Sequence, residues 1–238
     1  EKADELGLWI IEDDPYGELW YEKQPPQTIR SLKPDNTLRL GTLSKILSPG
    51  MRLGYICGNP ALLDAIAELK QSVDMHTPTI TQLVAARLLK SGQIEEHLPK
   101  VRKIYRERGT CMLECLEKYM PKDSGISWTK VEGGMFIWVT LPETIDTTAM
   151  MQEAVAAKVS YVPGQACYAL SNKRHHMRMS FVTGHFADGA LLHHLLPLQL
   201  PKDTGEHPHA GGHHQTAFVA DSCRHGGFAQ NPGSKALF

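Results

Sequence analysis

The chain has 238 residues, with 25 Lys+Arg against 26 Asp+Glu and a formal net charge of −1. Hydrophobic residues make up 42% and charged residues 21%, an ordinary globular balance that excludes collagen-like, coiled-coil and wholly disordered classes. Near-neutral charge gives no electrostatic reason to expect nucleic acid or an anionic membrane as partner. In chain order, Lys2 to Leu6 reads as a helical turn stopped at Gly7, and Leu8-Trp9-Ile10-Ile11 as a short strand buried on both faces of a parallel sheet. Further strands are predicted at Thr37 to Leu43 and Arg52 to Cys57, the latter closed by Gly58-Asn59-Pro60. Three helices follow, from Pro60 to about Val73, Thr77 to Lys90, and about Glu95 to Tyr119. The last carries Leu98, Val101, Ile104, Met112, Leu116 and Tyr119 mainly at three- and four-residue steps, and Pro121 with Asp123-Ser124-Gly125 ends it.

Beyond that helix the pattern changes. Strands are expected at Ser127 to Val131 and Met135 to Leu141, joined through Gly133-Gly134. A helix near Thr147 to Lys158 and strands near Ser160 to Val162 and Met177 to Val182 complete the set. The architecture expected is α/β: part of a large domain over 1–100, a small α+β domain over 101–184, and an atypical, disordered tail over 185–238. The tail is rich in Gly, His and Pro, and ten of the twelve histidines lie between His175 and His225. Metal binding by His207, His209, His213 and His214 is the sharper reading of that cluster, but cysteine partners and a scaffold are missing, so no metal site is expected. Five cysteines, odd in number and without a CxxC pair, argue against a disulfide framework and for a reducing, cytoplasmic setting. No run approaches the ~20 apolar residues of a membrane span, and the N-terminus lacks a signal peptide's apolar core.

Two segments could carry chemistry. Thr42-Leu43-Ser44-Lys45 followed by Ser48-Pro49-Gly50-Met51-Arg52 ends a strand in hydroxyls, presents a lysine, and turns so that an arginine returns. Hydroxyls and a guanidinium make a phosphate clamp. A lysine beside it, its ammonium form disfavoured by burial and cationic neighbours, is a nucleophile or Schiff-base candidate. Read in isolation, the same residues are a surface lysine and arginine beside a turn. Glu12-Asp13-Asp14-Pro15-Tyr16 places acids and a phenol at the carboxyl end of the first strand, where open α/β sheets bind ligands. A carboxylate there can keep a pyridine nitrogen protonated, or the acids can simply cap a helix. Arg178 alone is a strand arginine, and Gly133-Gly134 a hairpin turn.

Together the pieces resemble the class I/II aminotransferases of the fold-type I, aspartate-aminotransferase fold, and most of all their kynurenine, 2-aminoadipate and aromatic branch. The matching residues are Ile11 to Tyr16, Thr42 to Lys45, Arg52 to Tyr55, Gly133 to Phe136, Tyr161 to Gly164 and Met177 to Phe181. The resemblance implies pyridoxal 5′-phosphate as cofactor, with Lys45 as the lysine that carries it. Asp13 would face its ring nitrogen, Tyr16 its ring oxygen, and Thr42, Ser44 and Arg52 its phosphate; Thr42 stands where the family more often has serine. Arg178 would hold the substrate's α-carboxylate. It further implies a mixed, mostly parallel large-domain sheet, an amino acid and a 2-oxo acid as substrates, and homodimerisation. Family members run to roughly four hundred residues, so this chain is expected to be an N-terminally truncated fragment with reduced or no activity alone. The aminotransferase-like sensor domain of winged-helix transcription regulators shares the acid and lysine motifs, and a non-catalytic truncated gene product is the remaining alternative.

Overall fold

A computed structural model describes residues 1–122 and 124–182, and the expectations for the 185–238 tail and its histidine cluster lie outside the described residues. The chain divides into two compact units. One comprises Glu1–Lys103 and Glu132–Gly134, the other Ile104–Val131 and the described residues from Met135 on.

The first unit opens with α1 (Lys2–Glu5) and β1 (Ile10–Asp13). It continues with α2 (Ile29–Leu32), β2 (Thr37–Thr42), a 3-10 turn at Pro49–Met51 and β3 (Gly54–Cys57). The three strands form one mixed sheet in the order β1-β2-β3. β1 runs parallel to β2 with Asp13 opposite Leu40, and β3 runs antiparallel to β2 with Gly41 opposite Tyr55 and Thr42 opposite Gly54. Carboxyl ends of two parallel neighbours therefore lie side by side, which is where the fold class puts its ligands. Helices α3 (Pro60–Asp74) and α4 (Thr79–Lys90) follow. Asn59 caps α3 by accepting from the Ala61 N–H at 3.0 Å, with Pro60 at the first helical position where its missing N–H costs nothing.

The expected both-face burial of Leu8 to Ile11 is not observed. The strand starts two residues later, and Leu8, Trp9 and Ile11 are 53%, 52% and 65% exposed. β1 has only β2 beside it among the described residues, and no layer among them covers Leu8, Trp9 and Ile11 as an apolar run suited to a central strand would be covered. α2 was not anticipated, because its four residues carry no periodic signal. It is held instead by Thr28, whose hydroxyl accepts from Ser31 N–H, and by Glu12, whose carboxylate accepts from the Ile29 and Arg30 N–H groups at 2.8 and 3.1 Å. β3 begins at Gly54 rather than Arg52 because Arg52 is left-handed, with φ 54°.

The long helix α5 (Gln93–Tyr119) crosses the division between the units after Lys103. Of its expected stripe, Leu98, Met112 and Leu116 are buried, whereas Ile104 is exposed. The second unit then builds a four-stranded antiparallel sheet from β4 (Ser127–Trp128), β5 (Phe136–Thr140), β6 (Val162–Pro163) and β7 (His176–Ser180) in the order β4-β5-β7-β6. One face presents Ile137, Val139, Met177 and Met179, all nearly inaccessible, to a core that includes Leu116 and Phe181. Along β5 and β7 the alternate residues Phe136, Trp138 and Thr140 oppose Ser180, Arg178 and His176 on the other face.

Helix α6 (Met151–Ala156) is shorter than the Thr147 to Lys158 expected. Thr147 is drawn into the core instead, its hydroxyl 2.8 Å from both the Arg174 and His176 carbonyls, while its own carbonyl accepts from Tyr161 at 2.6 Å. Burial pushes the Tyr161 phenol up to about 12, so it stays a proton donor throughout the working range. At the other end Lys158 turns left-handed at φ 64° and stops the helix.

His176 lies in the same unit, stacked on Trp138 at 5.7 Å and packed against Tyr168 at 5.4 Å and His175 at 4.0 Å. Burial lowers its pKa below the ordinary 6.5, and His175 and Lys173 add to the shift. A base with a lowered folded-state value binds fewer protons folded than unfolded. Its contribution is therefore lost as pH falls through 6.5, and the loss grows until the lower folded value is passed. We predict that the unfolding midpoint of the native chain declines between pH 7 and 5, and that His176→Phe flattens the decline. An unchanged pH profile in that variant would refute the assignment. The Asp146–Arg174 pair at 2.7 Å holds the Asp146 carboxyl below 3.8, so its own acid loss falls at lower pH and separates cleanly.

Candidate functional site

The strongest local constellation is the turn after β2. Leu43 to Leu47 coils as one helical turn, closed by Leu47 N–H to Leu43 O at 2.9 Å, and Leu43 N–H reaches Leu53 O at 3.1 Å. Beneath it lies an apolar cluster of Leu43, Leu53 and Ala85 with Ile46, Leu47 and Met51 packed on it. The periodicity that sends Leu43, Ile46 and Leu47 down leaves Ser44 and Lys45 as the polar residues of the turn. Arg52 is brought beside them by the Pro49–Met51 turn and the antiparallel return into β3, and its guanidinium donates to Pro49 O at 3.1 Å.

The hydroxyls differ in availability. Thr42 Oγ1 donates to Leu53 O and accepts from Ser44 N–H, both at 3.1 Å, so its proton serves the turn itself. Ser44 Oγ is buried and has no hydrogen-bond partner among the described residues. A buried hydroxyl left unpaired costs free energy comparable to a lost hydrogen bond, so this atom marks a place where an outside acceptor belongs.

The acids differ too. Asp14 is taken by Arg39 at 2.9 Å, and Asp13, exposed at the end of β1, makes no ion pair among the described residues. Sequence alone left the two aspartates side by side; the structure separates them, because Arg39 shares a sheet face with Glu12 and not with Asp13. That face is completed by Tyr55, whose ring lies across Gly41, so that a Cβ there would come within 2.1 Å of the ring. Burial pushes the Tyr55 phenol up, partly offset by Arg39. Tyr16 follows Asp13 by three residues, in the turn whose carbonyl accepts from Leu19 N–H at 2.8 Å.

Asp13, Tyr16, Thr42, Ser44, Lys45 and Arg52 thus all belong to the first unit, near the carboxyl ends of β1 and β2. Arg178 belongs to the second unit, on β7, with its guanidinium 4.2 Å from the centre of the Phe136 ring and its Nε buried without a partner among the described residues. The sequence reading did not single out Arg39, Phe136 or Ser180 as site residues. The alternation His176-x-Arg178-x-Ser180 was the available signal, since period two puts all three on one face. Among the described residues no cluster of three His, Cys, Asp or Glu could hold a metal ion, and no helix is long and apolar enough to cross a membrane.

Residues 1–188 match the family model of aminotransferase class I and II. This chain belongs to that family. Among curated members it is 43% identical, over 182 residues, to aromatic-amino-acid aminotransferase 1 of Thermococcus litoralis, a match covering 76% of this chain and 43% of the relative. The crystal structure of Pyrococcus horikoshii kynurenine aminotransferase in complex with PMP is also similar. It superposes with a TM-score of 0.77 at 41% identity, covering 83% of this chain and 49% of that one. A Bacillus subtilis HTH-type transcriptional regulator, YisV, is 35% identical over 156 residues, covering 65% of this chain and 32% of the regulator. This aminotransferase-family chain therefore spans about half the length of the aminotransferases it matches, and the likeness to the kynurenine enzyme places it in the fold-type I architecture.

Proposed function

We propose that this chain carries the lysine, acid and phosphate-binding part of a pyridoxal-phosphate-dependent aminotransferase that moves an amino group between an amino acid and a 2-oxo acid. Its activity alone is reduced or absent. An aromatic or 2-aminoadipate-like donor is the substrate class we assign, in keeping with the aromatic and kynurenine aminotransferases it resembles. Residues 1–100 are then the carboxyl-terminal part of the cofactor-binding large domain and 101–184 the small domain, within a cytoplasmic homodimer. The observation that carries the reading is the turn of Ser44, Lys45 and Arg52, where the buried Ser44 hydroxyl has no partner among the described residues, with Asp13 at the end of the neighbouring strand.

The residues present fit the cofactor. Ser44 Oγ–H and the Arg52 guanidinium supply donors for a phosphate, with Thr42 bracing the turn that aims them. Asp13, as a carboxylate, favours the protonated form of a ring nitrogen, and Tyr16 offers a phenol to a ring oxygen. Bound pyridoxal phosphate supplies an electron sink for the substrate's Cα bond electrons. With the cofactor bound, Lys45 would take the proton from the substrate's Cα and deliver it to the cofactor carbon that carried the aldehyde, a tethered transfer that needs no bimolecular encounter. Arg178 holds the α-carboxylate through its planar fork of N–H donors.

Titrating the chain with pyridoxal 5′-phosphate tests this, with borohydride fixation and mass spectrometry locating the attachment. Fixation on Lys45 is expected; attachment scattered over surface lysines would overturn the reading. Ser44→Ala sharpens it. Losing one hydrogen bond to a charged group weakens phosphate-dependent binding about tenfold, yet removing an unsatisfied buried hydroxyl leaves the cofactor-free chain no less stable. Equal losses in both would mean that Ser44 is structural only.

The likeness to YisV supports a second reading, an aminotransferase-like effector-sensing domain of a winged-helix regulator. The same residues would hold the cofactor there, and a winged helix encoded upstream of Glu1 would decide for it.

A further inference from the structure

We propose that Phe136 is a positioning residue for Arg178, fixing the guanidinium plane so that its N–H edge meets the substrate carboxylate. This rests on the reading of Arg178 given above. In the antiparallel register Arg178 stands directly opposite Trp138, and Phe136 stands opposite Ser180. The ring over the guanidinium is nevertheless Phe136, the diagonal neighbour, at 4.2 Å. Trp138 is already engaged, stacked on His176 and edge-on to Tyr168 at 6.1 Å. The face therefore sorts into an aromatic end of Trp138, Tyr168 and His176 and a cationic end of Phe136, Arg178 and Ser180.

Stacking uses the π-face of the guanidinium and leaves every in-plane N–H free to donate. At this end Arg178 Nε and Ser180 Oγ are both buried and without partners among the described residues. Two orphaned groups on adjacent positions of one strand face are costly unless something completes them. A carboxylate bound side-on to Nε–H and one terminal N–H of Arg178 removes the first deficit and brings an acceptor near the second. Without the ring, the long arginine side chain would sample other rotamers and spend binding free energy on being ordered.

The test uses the full chain and 3-phenylpropionate, a carboxylate that lacks an amino group, with 3-phenylpropanol as the uncharged control, followed by calorimetry. Phe136→Leu keeps apolar volume and is expected to weaken carboxylate binding about tenfold while leaving the alcohol unaffected; Phe136→Tyr should restore it. Arg178→Met separates the layers. If it abolishes the carboxylate's advantage but Phe136→Leu binds as the parent does, Arg178 keeps its role and the positioning role falls. If Arg178→Met, or the parent itself, shows no preference for the carboxylate, both fall. Should Phe136→Leu fail to fold, the Arg178 Nε–H proton resonance of the parent decides. It is expected upfield by ring current and moving on carboxylate addition, and a random-coil position that ignores the carboxylate would refute the stacking.

Discussion

Lys45→Ala is expected to reduce borohydride-fixed pyridoxal phosphate to background and to remove the absorbance that accompanies its attachment. The chain should otherwise fold as before. Lys45 belongs to a one-turn coil whose stability comes from Leu43, Ile46 and Leu47 packed with Leu53, Met51 and Ala85, so trimming it removes chemistry without opening the core. Alanine also favours the helical conformation of that turn. The lysine is the only group proposed to bond the aldehyde, whereas Ser44 and Arg52 grip the phosphate without it. The variant should therefore still bind the cofactor reversibly, and inorganic phosphate should compete with it. Near-parental fixation in Lys45→Ala would place the reactive amine elsewhere and sink the assignment. Loss of fixation together with loss of phosphate competition would show instead that the turn had collapsed, and the circular dichroism of the variant would register it.

How much of this was legible beforehand depended on whether a residue's role is set locally or by distant partners. The lysine turn was readable because its parts are close in sequence: a strand ending in hydroxyls, three apolar residues at helical spacing, and a Pro-Gly return. The order of helices and strands in both units, the short α2 apart, was readable for the same reason, since periodicity is local. The depth of β1 was not. Leu8, Trp9 and Ile11 look like a central strand, and only the sheet order shows that β1 has one neighbour among the described residues. The pairing of Asp14 was equally hidden, because it depends on Arg39, 25 positions beyond Asp14, arriving on one face of the sheet. Thr147 was counted as helix because its sequence neighbourhood is helical, while its hydroxyl answers to carbonyls nearly thirty residues away. Phe136 lay inside a recognisable segment, but the register that sets it diagonally to Arg178 is a property of β5 and β7 together.

Phe181→Ala should produce the largest loss of stability in the second unit, roughly 3–5 kcal/mol by the usual cost of deleting a buried aromatic ring. Phe181 is fully buried and the largest side chain of its kind in the described core. Its ring lies against α5 at Gly109, where even a Cβ would stand only 3.5 Å from it, so the cavity opened by alanine is walled by helix backbone that cannot collapse readily. The backbone there is tied as well, Phe181 N–H reaching Met135 O at 3.3 Å. Because Phe181 follows Ser180 directly, it anchors the end of β7 that carries Arg178, and loosening it should cost carboxylate affinity in the same variant. Leu170→Ala is the control: that side chain is wholly exposed, and its removal should change stability by no more than ~0.5 kcal/mol. Urea unfolding followed by circular dichroism measures both. A midpoint for Phe181→Ala as close to the parent as that of Leu170→Ala would mean that the ring is not the keystone between α5 and β7. The strand that holds Arg178 would then owe its position to its pairing with β5 and β6.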